Sequence, residues 1–188
     1  MSKEIVREAI ENAKHFNGEY WKKALLQRAG LWTDGTPNKT RAGSYYPDFD
    51  PETLEQMLMQ AFWKPVKSDN VRPKFQAYTT PLPGMLGVVP LDKLPADTVL
   101  RVDDRKHTGY AHLTFLSSDE ILADDTTIIV SQKSATWKVV TFFPGDPIDG
   151  RRIPMRNVKK PELTIDEAKA LGFVHAKMTR ISGHNYRS

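Results

Sequence analysis

Three stretches decide the fold: Tyr110-Ala111-His112-Leu113-Thr114-Phe115, Thr126-Thr127-Ile128-Ile129-Val130 and Trp137-Lys138-Val139-Val140-Thr141-Phe142-Phe143. Each is short, rich in β-branched and aromatic residues, and bounded by polar turn residues, which is the pattern of β-strands. They predict the core antiparallel sheet, and Pro144-Gly145-Asp146-Pro147 ends it. Before them, residues 65–100 hold six of the thirteen prolines. The apolar pieces Phe75 to Tyr78, Met85 to Val89 and Thr98 to Val102 therefore read as short strands or edge pieces, because proline cannot sit in a central ladder.

The N-terminal third has a different period. Ile5, Ala9, Ile10 and Ala13 recur at helical spacing, and Tyr20, Trp21, Ala24 and Leu25 follow the Asn17-Gly18 break, so residues 3–29 predict one or two helices with Gly30 at the end. Leu31 to Phe49 lacks periodicity and reads as a long loop. Asp50-Pro51-Glu52 starts another helix, with Asp50 as N-cap and Pro51 at the first helical position, ending near Lys64 ahead of Pro65. Thr164-Ile165-Asp166-Glu167 is a capping box for a two-turn helix that stops at Gly172. Phe173 to Ile181 reads as a final strand. The expected fold is α+β, with N-terminal helices packed on a small, twisted antiparallel sheet. Residues 1–64 form the helical region, 65–181 a sheet core in one domain with the helices, and 182–188 a loose tail.

Composition narrows the chemistry. The chain has 188 residues and no cysteine, which excludes disulfides, thiolate catalysis and cysteine-based metal centres. Lys and Arg outnumber Asp and Glu by 27 to 23. The excess is concentrated after Gly150, where Arg151, Arg152, Arg156, Lys159 and Lys160 cluster, so polyanions are the favoured partners unless the run is a solvated tail. No stretch approaches the length of a bilayer span, and the start has no apolar signal core, so the expected setting is the cytoplasm, or the cytosol of a target cell into which the protein is delivered, with no membrane partner.

Asp103 to His112 is the most chemically loaded segment, with two imidazoles, two cations and two carboxylates. Histidine's unperturbed pKa lies near neutrality, so His107 and His112 can divide the roles of general base and general acid at a phosphorus centre. Arg105 and Lys106 would stabilise the charge that develops on phosphoryl oxygens. The odd spacing keeps the two histidines off one face of a continuous strand, so a turn must fall at Thr108-Gly109. The alternative is a loop histidine beside a hydrogen-bonded strand histidine. The spacing does not match a helical His-Glu-x-x-His metal site, and no phosphate-binding glycine loop occurs, so neither metal nor cofactor is expected. His15, His175 and His184 fall in a helical stretch, a strand and the tail, and carry no assigned chemistry.

A second constellation runs from Ser131 to Gly145. Strict alternation puts Trp137, Val139 and Thr141 on one face, where the Thr141 hydroxyl can bond a phosphate and Trp137 can stack a base, unless Trp137 belongs to the core. Lys133 and Ser134 at the preceding turn join Arg105, Lys106 and Trp137 as candidate phosphate and RNA contacts.

From Val99 to Pro147, a histidine strand after a basic turn and then Trp137-Lys138-Val139-Val140-Thr141-Phe142-Phe143-Pro144-Gly145 resembles the metal-independent nucleases grouped as barnase, EndoU, colicin and RelE relatives, including contact-dependent inhibition and phage-borne toxins. The resemblance implies RNA cleavage by 2′-hydroxyl attack, with His107 and His112 as base and acid, and Thr141 with Lys106 or Arg105 at the phosphate. For a toxin it implies an acidic immunity or inhibitor protein as partner. The other function class compatible with the same residues is a non-catalytic nucleic-acid- or host-protein-binding module of phage or bacterial origin.

Overall fold

The structure, a computed structural model, describes residues 2–31, 33–36, 50–68, 71, 73–104, 108–117, 121–147 and 152–180. Most of the long loop at 31–49, the Arg105-Lys106-His107 triplet and the tail at 182–188 lie outside the described residues. The architecture is α+β, and the chain divides into two compact units. One holds the chain up to Leu86 together with Leu122–Pro147; the other holds Gly87–Ile121 and Ile148–Ile181.

In the first unit, α1 (Ser2–Phe16), α2 (Gly18–Arg28) and α3 (Pro51–Gln60) pack on a four-stranded antiparallel sheet. Its strands are β1 (Lys64–Val66), β2 (Phe75–Thr80), β8 (Thr126–Lys133) and β9 (Thr136–Pro144), in the order β1-β2-β8-β9. The start of α3 and the end of α2 fall where the sequence places their caps. The Asp50 carboxylate accepts from the Thr53 N–H at 2.7 Å. After α2 the Gly30 N–H donates to the Gln27 carbonyl and the Leu31 N–H to that of Leu26, closing a Schellman turn. Helix α3 stops at Gln60, four residues before the predicted end, and Ala61 is already extended.

Val6, Ile10, Leu25, Leu54 and Leu58 of the helices bury against Tyr78, Ile128, Val130 and Phe142 of the sheet. Burying one such side chain contributes about 1.5–3 kcal/mol, so this layer is the unit's main source of stability. Glu55 accepts from Trp21 Nε1 at 2.7 Å and pairs with Lys14 at 3.1 Å, so one carboxylate of α3 tethers both α1 and α2. The short strands β3 (Gly84–Met85) and β7 (Leu122–Ala123) pair beside this core.

The second unit is built on β11-β5-β6-β12-β4, namely Glu162–Leu163, Leu100–Asp104, Tyr110–Ser117, His175–Arg180 and Val88–Pro90, with β10 (Ile153–Pro154) paired to β6. Helix α4 (Ile165–Ala170) carries the predicted capping box, with Thr164 accepting from the Glu167 N–H. Leu100, Leu113, Phe115, Leu163, Ala168 and Ala176 are buried.

One expectation about the sheet changes. The Tyr110 run enters a different sheet from the Thr126 and Trp137 runs, and β12 joins β6 in parallel, so the strands are mostly rather than wholly antiparallel. Of the two alternatives for the Phe75 run, the short strand is the one observed: β2 lies between β1 and β8, and the prolines fall outside it.

Candidate functional site

The β5–β6 hairpin turns where the sequence requires. Gly109 has φ +79°, a conformation that glycine alone adopts freely, and its N–H donates to the Asp104 carboxylate at 3.1 Å. That register puts Asp103 directly opposite His112 and Arg101 opposite Thr114. Directly opposed residues share a face, and every second residue along a strand does too. Arg101, Asp103, Tyr110, His112 and Thr114 therefore line one face, with Leu100, Val102, Ala111, Leu113 and Phe115 on the other.

The parallel partner strand extends that face. Lys177 is in register with Thr114, and His175 and Thr179 share its parity. One register line crosses the sheet through Glu162, Arg101, Thr114, Lys177 and Val88. Arg101 and His112 are exposed, and Thr114, His175 and Lys177 are half-buried. Neighbouring strands lie about 4.8 Å apart, so Arg101 and Lys177 flank Thr114 at roughly 10 Å from each other, and His112 follows about 7 Å along β6. Thr114 thus has a cationic residue on the strand to either side and an imidazole two residues away on its own strand. At the edge of the set, the Arg152 guanidinium lies 5.3 Å from the centre of the Tyr110 ring, a cation–π contact.

The other expected site residues fall in the first unit. Trp137 is half-buried against the helix core, and its carbonyl accepts from Asn12 Nδ2 at 2.9 Å. Lys133 and Ser134 are exposed at the tip of the β8–β9 hairpin. The expected sharing of a face by Trp137 and Thr141 is corrected. Ile129 pairs with Thr141 but Val130 with Val139, so Val140 is an extra residue, a bulge that reverses the alternation. Val139 and Phe142 then sit on the helix side with Trp137, and Thr141 points to the opposite face with Ile129. Arg105, Lys106 and His107 belong to the β5–β6 connection and lie outside the described residues.

Arg101, His175 and Lys177 were not singled out from the sequence. A signal for them existed: Arg101 and Asp103 in β5, Tyr110, His112 and Thr114 in β6, and His175, Lys177 and Thr179 in β12 alternate with apolar residues, which groups them on one face of each strand. What joins those faces is a parallel pairing between strands some sixty residues apart, and no local pattern announces it. Comparison of the chain with family models, with curated proteins and with solved structures finds no match to any of them.

Proposed function

We propose that this protein is a metal-independent endoribonuclease whose reaction runs on the polar face of β5, β6 and β12. The observation that carries the reading is the placement of His112 two residues along β6 from a register line that sets Arg101 and Lys177 on either side of Thr114. His112 exchanges a proton with the substrate, and the second proton-transfer group is His107 or His175. One imidazole takes the proton of the ribose 2′-hydroxyl as its oxygen bonds to phosphorus. The other protonates the 5′-oxygen as the P–O5′ bond breaks, leaving a 2′,3′-cyclic phosphate and a 5′-hydroxyl. Arg101, Lys177 and the Thr114 hydroxyl hold the non-bridging oxygens, where charge develops. The mechanism uses residues of the second unit only. In this reading the protein acts on RNA in a cytosol, as a toxin does, and an acidic immunity protein is its natural inhibitor.

The test is incubation of the full chain with a labelled oligoribonucleotide in EDTA. Cleavage with cyclic-phosphate ends, lost in His112→Ala, supports the reading, and separate His107→Ala and His175→Ala variants assign the second group. RNA that stays intact overturns it.

A second reading rests on the Arg152–Tyr110 pair, which offers a stacking surface that needs no chemistry. A non-catalytic RNA-binding module would bind without cleaving, would keep its affinity in His112→Ala, and would weaken steeply as salt rises.

A further inference from the structure

The first unit carries a separate feature, a groove of ≈ 270 Å³ between α1 and α2 on one side and β9 on the other. Among the described residues β9 is an edge strand of its sheet, so one side of its backbone is not paired by another strand. Two of its outward carbonyls are occupied by helix side chains: Asn12 Nδ2 donates to the Trp137 oxygen at 2.9 Å and Arg28 Nε to the Phe142 oxygen at 2.8 Å. These contacts bracket residues 138–141. Val139 has the same parity as Trp137 within an unbroken stretch of the ladder, so its N–H and C=O also face outward into the groove. Because of the bulge at Val140, the bracketed edge runs alongside Ile128 to Gln132 and spans about 14 Å, four steps of extended chain.

The rim defines what would lie there. Phe16, Tyr20 and Val140 are 71%, 74% and 42% exposed, an amount of apolar surface that marks an interaction site when it is contiguous. Lys23 and Lys138 are exposed among the same lining residues, Arg28 closes one end, and among the described residues no Asp or Glu lines the groove. We infer that this groove binds an extended acidic peptide segment of a partner protein by strand addition to β9, with apolar side chains against Phe16, Tyr20 and Val140 and carboxylates toward Lys23 and Lys138. A strand edge presents N–H and C=O groups at the spacing of another peptide backbone, which a nucleic acid does not match, and this favours peptide over single-stranded RNA.

The test uses a fluorescein-labelled peptide, Glu-Val-Asp-Phe-Glu-Val, and its basic counterpart, Lys-Val-Lys-Phe-Lys-Val, titrated with the full chain by fluorescence anisotropy. The acidic peptide should bind saturably and the basic one should not. Joint Lys23→Glu and Lys138→Glu substitution should weaken the acidic peptide at least ten-fold and confer binding of the basic one. Val139→Pro, which removes an edge N–H without breaking the β8–β9 ladder, should weaken both the original pair and the charge-swapped pair. Absence of acidic-peptide binding, equal binding of both peptides, or displacement of the peptide by oligouridylate would each overturn the inference. Peptide binding that persists in His112→Ala keeps this result separate from the fate of the ribonuclease reading.

Discussion

Asp103 on β5 and His112 on β6 stand directly opposite one another, and both are exposed on the same face of the sheet. The imidazole is the group proposed to exchange a proton with the substrate and the carboxylate is its cross-strand neighbour, so the two residues differ in their expected weight. His112→Ala should lower the rate of RNA cleavage in EDTA by about 10²–10⁴-fold, the usual worth of a proton-transfer group. Asp103→Ala should lower it less. Both variants should melt within about 0.5 kcal/mol of the parent, because neither side chain is buried. Equal losses in rate, or a variant that has lost its cooperative melt, would show that the pair holds the hairpin together rather than serving the reaction.

The elements that were legible in the sequence are those whose signals are local. Asp50-Pro51 and Thr164 with Glu167 mark helix starts because a capping side chain reaches only three residues along the chain. The turn at Gly109 followed from the odd separation of His107 and His112. The features that escaped depend on partners far away. The Val140 bulge shows itself only when β9 is laid against β8, and it turns Thr141 away from Trp137. The division of the three β-rich runs between two sheets is set by which strand each one meets, and Tyr110 to Phe115 has the same local pattern as the other two. For the same reason Lys177 could not be placed beside Thr114 from the sequence, although its polar parity within β12 was readable.

The β8–β9 hairpin turns through Ser134 and Ala135, with φ of 51° and 64°. Two positive φ values in a two-residue loop are the mark of a type I′ turn, which Asn-Gly fits best, whereas a left-handed conformation costs an ordinary residue about 1–2 kcal/mol. Joint Ser134→Asn and Ala135→Gly substitution should stabilise the first unit by about 1 kcal/mol, or about 2–4 °C in Tm. Differential scanning calorimetry measures this directly. If RNA cleavage is unchanged in the same variant, Ser134 is a turn residue and not an RNA contact; an unchanged or lowered Tm would contradict the strain at this turn.

Gly145 closes the end of β9 under two constraints. Its φ is +99°, and a Cβ built on it would lie 2.6 Å from Leu86 Cδ2, too close for any real contact. Its backbone is also fixed, since its N–H donates to the Asp125 carbonyl and its carbonyl accepts from the Thr127 hydroxyl. Gly145→Ala should therefore destabilise the protein by about 2 kcal/mol or more, combining backbone strain with overpacking. Leu86→Ala alone leaves a cavity, but in the double variant it relieves the clash, so the two losses should sum to more than the double variant shows. Strictly additive losses in urea unfolding would mean that steric conflict with Leu86 plays no part.

Tyr78 gives the fold an alkaline limit. It is 3% exposed in the helix–sheet core, and its hydroxyl donates to Gln76 Oε1 at 2.7 Å. Burial holds the phenol above its ordinary range, because the phenolate would lose its hydration. A folded-state pKa above the unfolded one contributes stability that is complete below the unfolded value, near pH 10, and is lost as pH rises through the folded value. Urea unfolding should accordingly give a plateau below about pH 10 and a decline above it. Tyr78→Phe should cost about 0.5–1.5 kcal/mol on the plateau through the lost hydrogen bond, and the exposed Gln76 amide is then met by water. Because the variant has no phenol to ionise at this position, the gap between the two proteins should narrow as pH rises beyond 10. Parallel curves across that range would show that the Tyr78 hydroxyl titrates alike in the folded and unfolded chain.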